Sequence, residues 1–179
     1  MNDNSSASFQ AVQQSVVTML ELVSESARRF GEEEVQSLSN ELQKTVLMLI
    51  AAIVLADEKY EAGEEAFINL LVDWGQKPGG SARYVKEYAE SWRAGSLTIP
   101  RFFQTAVVHD TQFSTDLAKA MIRELKLIGN STCIVDGTFD PRENEVLTNY
   151  ILFLEEYLKA WESRNAKGTV RSNIGWSNV

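Results

Sequence analysis

The sequence predicts an all-α fold, a compact bundle of about seven helices with an internal pseudo-twofold repeat. Three observations predict it. Long stretches are rich in Ala, Leu, Glu, Gln and Lys, which favour helix, and only three prolines interrupt them. Apolar residues recur at three- and four-residue steps, the period of a helix face, and no segment sustains strand alternation. Two segments, one in each half, repeat a plan of apolar helix, acidic turn and new helix.

Each element follows from its own residues. A first helix is expected over 8–30, with Phe9, Val12, Val16, Met19, Val23, Ala27 and Phe30 on one face, ended by Gly31. The second spans 33–56, with Val35, Leu38, Leu42, Leu49 and Ile53 inward. Its apolar run from Val46 to Ala56 is too short for the ~20 residues that cross a bilayer, so it reads as a central buried helix. The third covers 62–75 and stops at Gly75, before the loop Lys77-Pro78-Gly79-Gly80. The fourth, 81–94, carries Tyr84, Tyr88 and Trp92 one turn apart. Pro100 suits the first turn of a short fifth helix over 100–109. The sixth runs over 113–135 with Ser114 as N-cap and Leu117, Met121, Leu125 and Ile128 as its core stripe. The seventh, 141–163, has an apolar face of Val146, Leu147, Tyr150, Ile151, Leu154, Leu158 and Trp161. The expected organisation is a flexible tail over 1–7, one domain over 8–163, and a flexible Gly/Ser/Asn-rich tail or linker over 164–179 that carries Trp176.

Composition narrows the function. With 44% apolar residues in a 179-residue chain, a single domain can build a proper core. The net charge is −8 and no run of Lys and Arg occurs, which argues against nucleic acid, whose phosphates need clustered cations. An acidic surface suits a basic protein partner or a divalent cation, or simply keeps the chain soluble. A single cysteine, Cys133, allows no intrachain disulfide and fits a reducing, cytoplasmic setting; among Ile128, Ile134 and Val135 it reads as a buried structural thiol. The polar, acidic start lacks the pattern of a signal peptide, and no transmembrane segment is expected. Peripheral membrane contact and oligomeric state stay open.

The repeat supplies the candidate site. Aligned without gaps, residues 56–68 and 135–147 match Asp57 with Asp136, Tyr60 with Phe139, Glu61 with Asp140 and Glu64 with Glu143. In the second copy Asp140 is an N-cap, Pro141 the first helical residue, and Glu143 the far end of a capping box, with Phe139 stapled onto Val146. Asp136-Gly137 makes the tight exit from the preceding helix. The first copy is looser, since Glu61 is a poor cap and Glu58 stands where the glycine would be.

These residues resemble the TerB-like family, the tellurite-resistance and DjlA N-terminal-like helical domains, whose repeated signature looks like Asp-Gly-x-aromatic/aliphatic-x-Pro-x-Glu after an apolar helix. Asp136 through Glu143 matches it well; Asp57 through Glu64 matches in part, lacking Gly and Pro. The resemblance covers roughly residues 35–160. It implies a bundle of about seven helices, a divalent-cation site near the acidic turns, and frequent fusion to other domains.

If the halves pack about a pseudo-twofold axis, Asp57, Glu61, Glu64, Asp136, Asp140 and Glu143 face one another and make a hard-oxygen site for calcium or magnesium. The plainer reading is that acids in a helix's first turn offset its dipole and bind nothing. No EF-hand loop occurs. Catalysis is poorly supplied: one histidine, His109 beside Asp110, and one cysteine make neither a zinc set nor a catalytic triad, and Pro78-Gly79-Gly80 lacks the residues of a phosphate loop. The aromatic stripe of Tyr84, Tyr88 and Trp92, with Phe102 and Phe103, reads as core. The expected function is a non-enzymatic, TerB-like adaptor or sensor that binds a protein partner, with a divalent metal at the paired turns; the resemblance implies a stress- or defence-related assembly such as tellurite resistance. Two alternatives remain: an accessory N-terminal domain of a larger chaperone or ATPase with no metal, and a metal-dependent hydrolase using the acidic cluster.

Overall fold

A computed structural model describes residues 3–57, 64–65, 67–68, 87, 89–90, 92, 98–135, 137 and 140–172, with side chains described from residue 6 to residue 165. Among the described residues there are five α-helices, one 3-10 turn and no strand: α1 (Asp3–Ala27), the 3-10 turn (Arg28–Phe30), α2 (Glu32–Val54), α3 (Arg101–Phe113), α4 (Leu117–Cys133) and α5 (Pro141–Ser172). The helices expected over 62–75 and 81–94 lie mostly outside the described residues; Glu64, Glu65, Phe67 and Ile68, and Glu87, Ala89, Glu90 and Trp92, are helical. Tyr84, Tyr88 and Trp176 also lie outside. No helix among the described residues is long and apolar enough to cross a membrane.

α2 is the central helix. It packs against each of the other four, and all six residues from Leu49 to Val54 are buried. α1 packs chiefly along α4, and α4 along α5. The stripes of α1, α4 and α5 read from periodicity are the buried ones, and Phe102 and Phe103 are fully buried on α3. Phe9, Val146 and Trp161 are partly buried, and Phe30 is exposed at 54%. The α-helix gives way to a 3-10 turn at Arg28, so the tighter winding takes Phe30 off the stripe. Gly31, with φ of 93°, makes the turn between α1 and α2. Three glutamates, Glu32 to Glu34, then sit in the first turn of α2, where they favour its dipole.

Besides α3, which runs to Phe113 rather than 109, three boundaries differ from the sequence reading. α1 begins at Asp3 and α5 continues to Ser172, beyond both expected tail limits. Past Trp161, Ser163, Arg164 and Asn165 each donate a side-chain hydrogen bond to the carbonyl four residues back. The third difference is at α4. Ser114 is not its N-cap: it adopts a left-handed conformation (φ 55°, ψ 42°) and closes α3 by donating its N–H to the Asp110 carbonyl. The cap comes from the preceding helix. The Asp110 carboxylate accepts from Leu117 N at 2.8 Å, Ala118 N at 2.9 Å and Thr115 Oγ1 at 2.6 Å.

The start of α3 is held the same way. Pro100 precedes it in extended conformation, and the Glu41 carboxylate of α2 accepts from the N–H groups of Arg101 (3.1 Å) and Phe102 (3.3 Å). Two helix N-termini thus borrow an acid from another helix, meeting orphan donors that their own sequence leaves unmet. Close to Glu41 lies Tyr150 of α5, 2% exposed and edge-on to Trp92 at 4.9 Å. Its hydroxyl makes no hydrogen bond among the described residues, and burial, with the Glu41 charge adding, pushes the phenol up. Tyr150→Phe is therefore expected to stabilise the fold by about 1 kcal/mol, because it removes a desolvated polar group; a loss in urea-melt midpoint would show that the hydroxyl is satisfied.

Candidate functional site

The acidic turns follow two helices that end alike. α2 leaves through Leu55 (φ −100°, ψ 12°) with Ala56 N donating to Ile53 O at 2.9 Å. α4 leaves through Ile134 (φ −115°, ψ 9°) with Val135 N donating to Thr132 O at 3.2 Å. The two exits fall at matching positions of the gapless alignment. Gly137 has φ of 88°, as the tight exit requires.

Asp140 caps α5, as its sequence suggests. Its Oδ1 accepts from Arg142 N at 2.7 Å, and the helix starts at Pro141. The Arg142 guanidinium then folds back onto the same carboxylate, Nε to Oδ1 at 3.2 Å and Nη2 to Oδ2 at 3.0 Å. It also reaches Asp57, with Nη2 3.8 Å from Oδ2. One cation thus spans two acids from opposite halves of the chain. The Asp57 side chain is 12% exposed and that of Asp140 25%, against 54% for Arg142. Beside this junction Trp92, Arg142, Glu145 and Asn149 line a groove of about 290 Å³ floored by Ala52, Ala56 and Val146.

Glu64 and Glu143, equivalent in the alignment, are both buried (3% and 7% exposed), and both engage partners. A buried carboxylate is costly unless compensated, so the burial is a structural commitment rather than a solvated charge. Glu61 and Asp136 lie outside the described residues. Of the six expected site residues, then, Asp57 and Asp140 are brought together through Arg142, while Glu64 and Glu143 are buried. Among the described residues no three His, Cys, Asp or Glu side chains converge as a metal set. Asp57 and Asp140 present carboxylate oxygens, hard donors of the kind calcium and magnesium take, and Arg142 engages both. Arg142 is the residue sequence reasoning missed: it was visible only as the lone base of the second turn.

Cys133 is 2% exposed at the end of α4. Burial, with the Glu143 carboxylate adding, pushes its thiol up to about 12. The thiolate is the nucleophile, so this cysteine is inert at neutral pH. It is expected to resist a thiol reagent in the native state and react only on unfolding; native labelling at the rate of a free thiol contradicts this. Because the folded value is the raised one, its contribution to stability is intact below about pH 9 and is lost as pH climbs towards 12. His109, the only histidine, stacks on Phe113 at 4.6 Å and meets Thr115 Oγ1 through Nδ1 at 3.0 Å, within the network that caps α4.

Comparison with family models, curated proteins and solved structures gave no match to this chain.

Proposed function

We propose that the chain is a non-enzymatic, TerB-like adaptor or sensor module of about seven helices with a duplicated plan, cytoplasmic, binding a protein partner in a stress- or defence-related assembly. The paired acidic turns are its sensing element. The observation that carries this reading is the Arg142 guanidinium held between Asp140 and Asp57. It couples the exit of α2 to the entry of α5, so a ligand that competes for either carboxylate changes how the two turns are tied. The matching helix exits and the equivalent burial of Glu64 and Glu143 support duplication.

A divalent cation, calcium or magnesium, fits the oxygens of Asp57 and Asp140. It enters by displacing Arg142, whose guanidinium is the half-exposed member of a junction with two largely buried carboxylates. The cation binds the native state alone, so melting temperature should rise with its concentration, by the equivalent of about 2.7 kcal/mol at 100 times the dissociation constant. Asp57→Asn/Asp140→Asn should abolish the rise. A flat titration of the wild-type chain overturns the sensing role and leaves Arg142 as a structural latch.

A further inference from the structure

Net acidity hides one basic surface. Lys119, Ile122, Arg123 and Lys126 occupy one stripe of α4, at steps of three, four and seven residues; Glu155, Leu158, Lys159 and Glu162 occupy the matching stripe of α5. The stripes run antiparallel. Lys119 pairs with Glu162 at 3.5 Å at one end, and Lys126 with Glu155 at 2.8 Å at the other. Between these closures lies a groove of about 430 Å³ with Ile122 and Leu158 in its lining. Arg123 and Lys159 line its middle, and neither has an ion pair among the described residues. Two further cations thus line a groove whose glutamates are paired with Lys119 and Lys126, giving it four basic and two acidic side chains on a chain of net charge −8.

We propose that the α4–α5 groove docks an acidic segment of a partner protein, its carboxylates on Arg123 and Lys159. The charges of the groove select this occupant. A nucleic acid needs many cations and meets repulsion from Glu155, Glu162 and the whole chain. A peptide needs two, and its own basic residues can meet those glutamates. The two-turn stripe from Lys119 to Lys126 spans ~10 Å, the reach of a few peptide side chains. The proposal deepens the reading of the chain as a protein-binding module, but uses a surface separate from Arg142.

The test is fluorescence anisotropy of the full chain with a short fluorescein-labelled Glu/Leu peptide at low salt. Wild type should bind, and more weakly as salt rises. Arg123→Glu/Lys159→Glu should weaken binding by about tenfold or more, the loss expected when two charge contacts become repulsions. Lys44→Glu/Arg28→Glu, exposed cations elsewhere, should leave it unchanged. Should the reversal fail to fold, Arg123→Gln/Lys159→Gln serves in its place. Absence of wild-type binding, or equal loss in the Lys44/Arg28 control, overturns the proposal. So does tighter binding of an oligonucleotide or a phosphatidylserine vesicle through the same two residues, or a wild-type dimer in sedimentation that the Arg123/Lys159 variant dissolves. Peptide binding with a flat calcium titration keeps the groove and removes the sensor; a calcium response without peptide binding does the reverse.

Discussion

Gly129→Val should destabilise the fold by about 3 kcal/mol, the upper part of the usual range for overpacking. Gly129 lies buried on α4 where Leu147 of α5 crosses it. A Cβ there would stand 2.3 Å and 2.6 Å from the two Leu147 methyls and 2.9 Å from its Cγ. Leu147 is itself buried at 4% exposure, so its branch has little room to retreat. Gly129→Ala should cost less, because the added methyl also raises helix propensity by about 1 kcal/mol. Combining it with Leu147→Val should recover part of the loss, a coupling that distant sites do not show. Denaturant midpoints measure all three. A Gly129→Val chain as stable as wild type would mean that α4 and α5 do not approach as closely as described.

Asp110→Ala should cost about 2 kcal/mol, the top of the N-cap range, because one carboxylate receives two backbone N–H groups and the Thr115 hydroxyl. Asp110→Asn keeps an acceptor and should lose roughly half as much. Ser114→Ala should do almost nothing, since the Ser114 side chain is not the cap. If Ser114→Ala cost more than Asp110→Ala, the capping account of α4 would fail.

These two variants mark where the sequence was legible. Periodicity locates α1, α2, α4 and α5 because their apolar stripes are long and their buried faces match them. Asp140 was legible as a cap because its target N–H, that of Arg142, lies two residues away. Asp110 was not: it serves a helix that starts seven residues later, and Glu41 serves one sixty residues away, so no local pattern carries either bond. Ser114 had a good capping residue type and the wrong backbone. Phe30 fitted the stripe until the winding changed. The basic groove escaped for the same reason as Asp110. Lys and Arg are scattered along the chain and meet only when two helices pack antiparallel. Asp57 and Asp140 were aligned as parts of one repeat, but the arginine that joins them is absent from the first copy, where Gly63 stands at its position.

Isothermal titration calorimetry with calcium and magnesium decides whether the two turns hold a cation. Wild type should give a saturable single-site heat, lost in Asp57→Asn/Asp140→Asn. Arg142→Ala should bind more tightly than wild type, because the cation that competes for both carboxylates is gone. Absence of heat in both wild type and Arg142→Ala would contradict the account, and the two turns would then be an ion pair and nothing more.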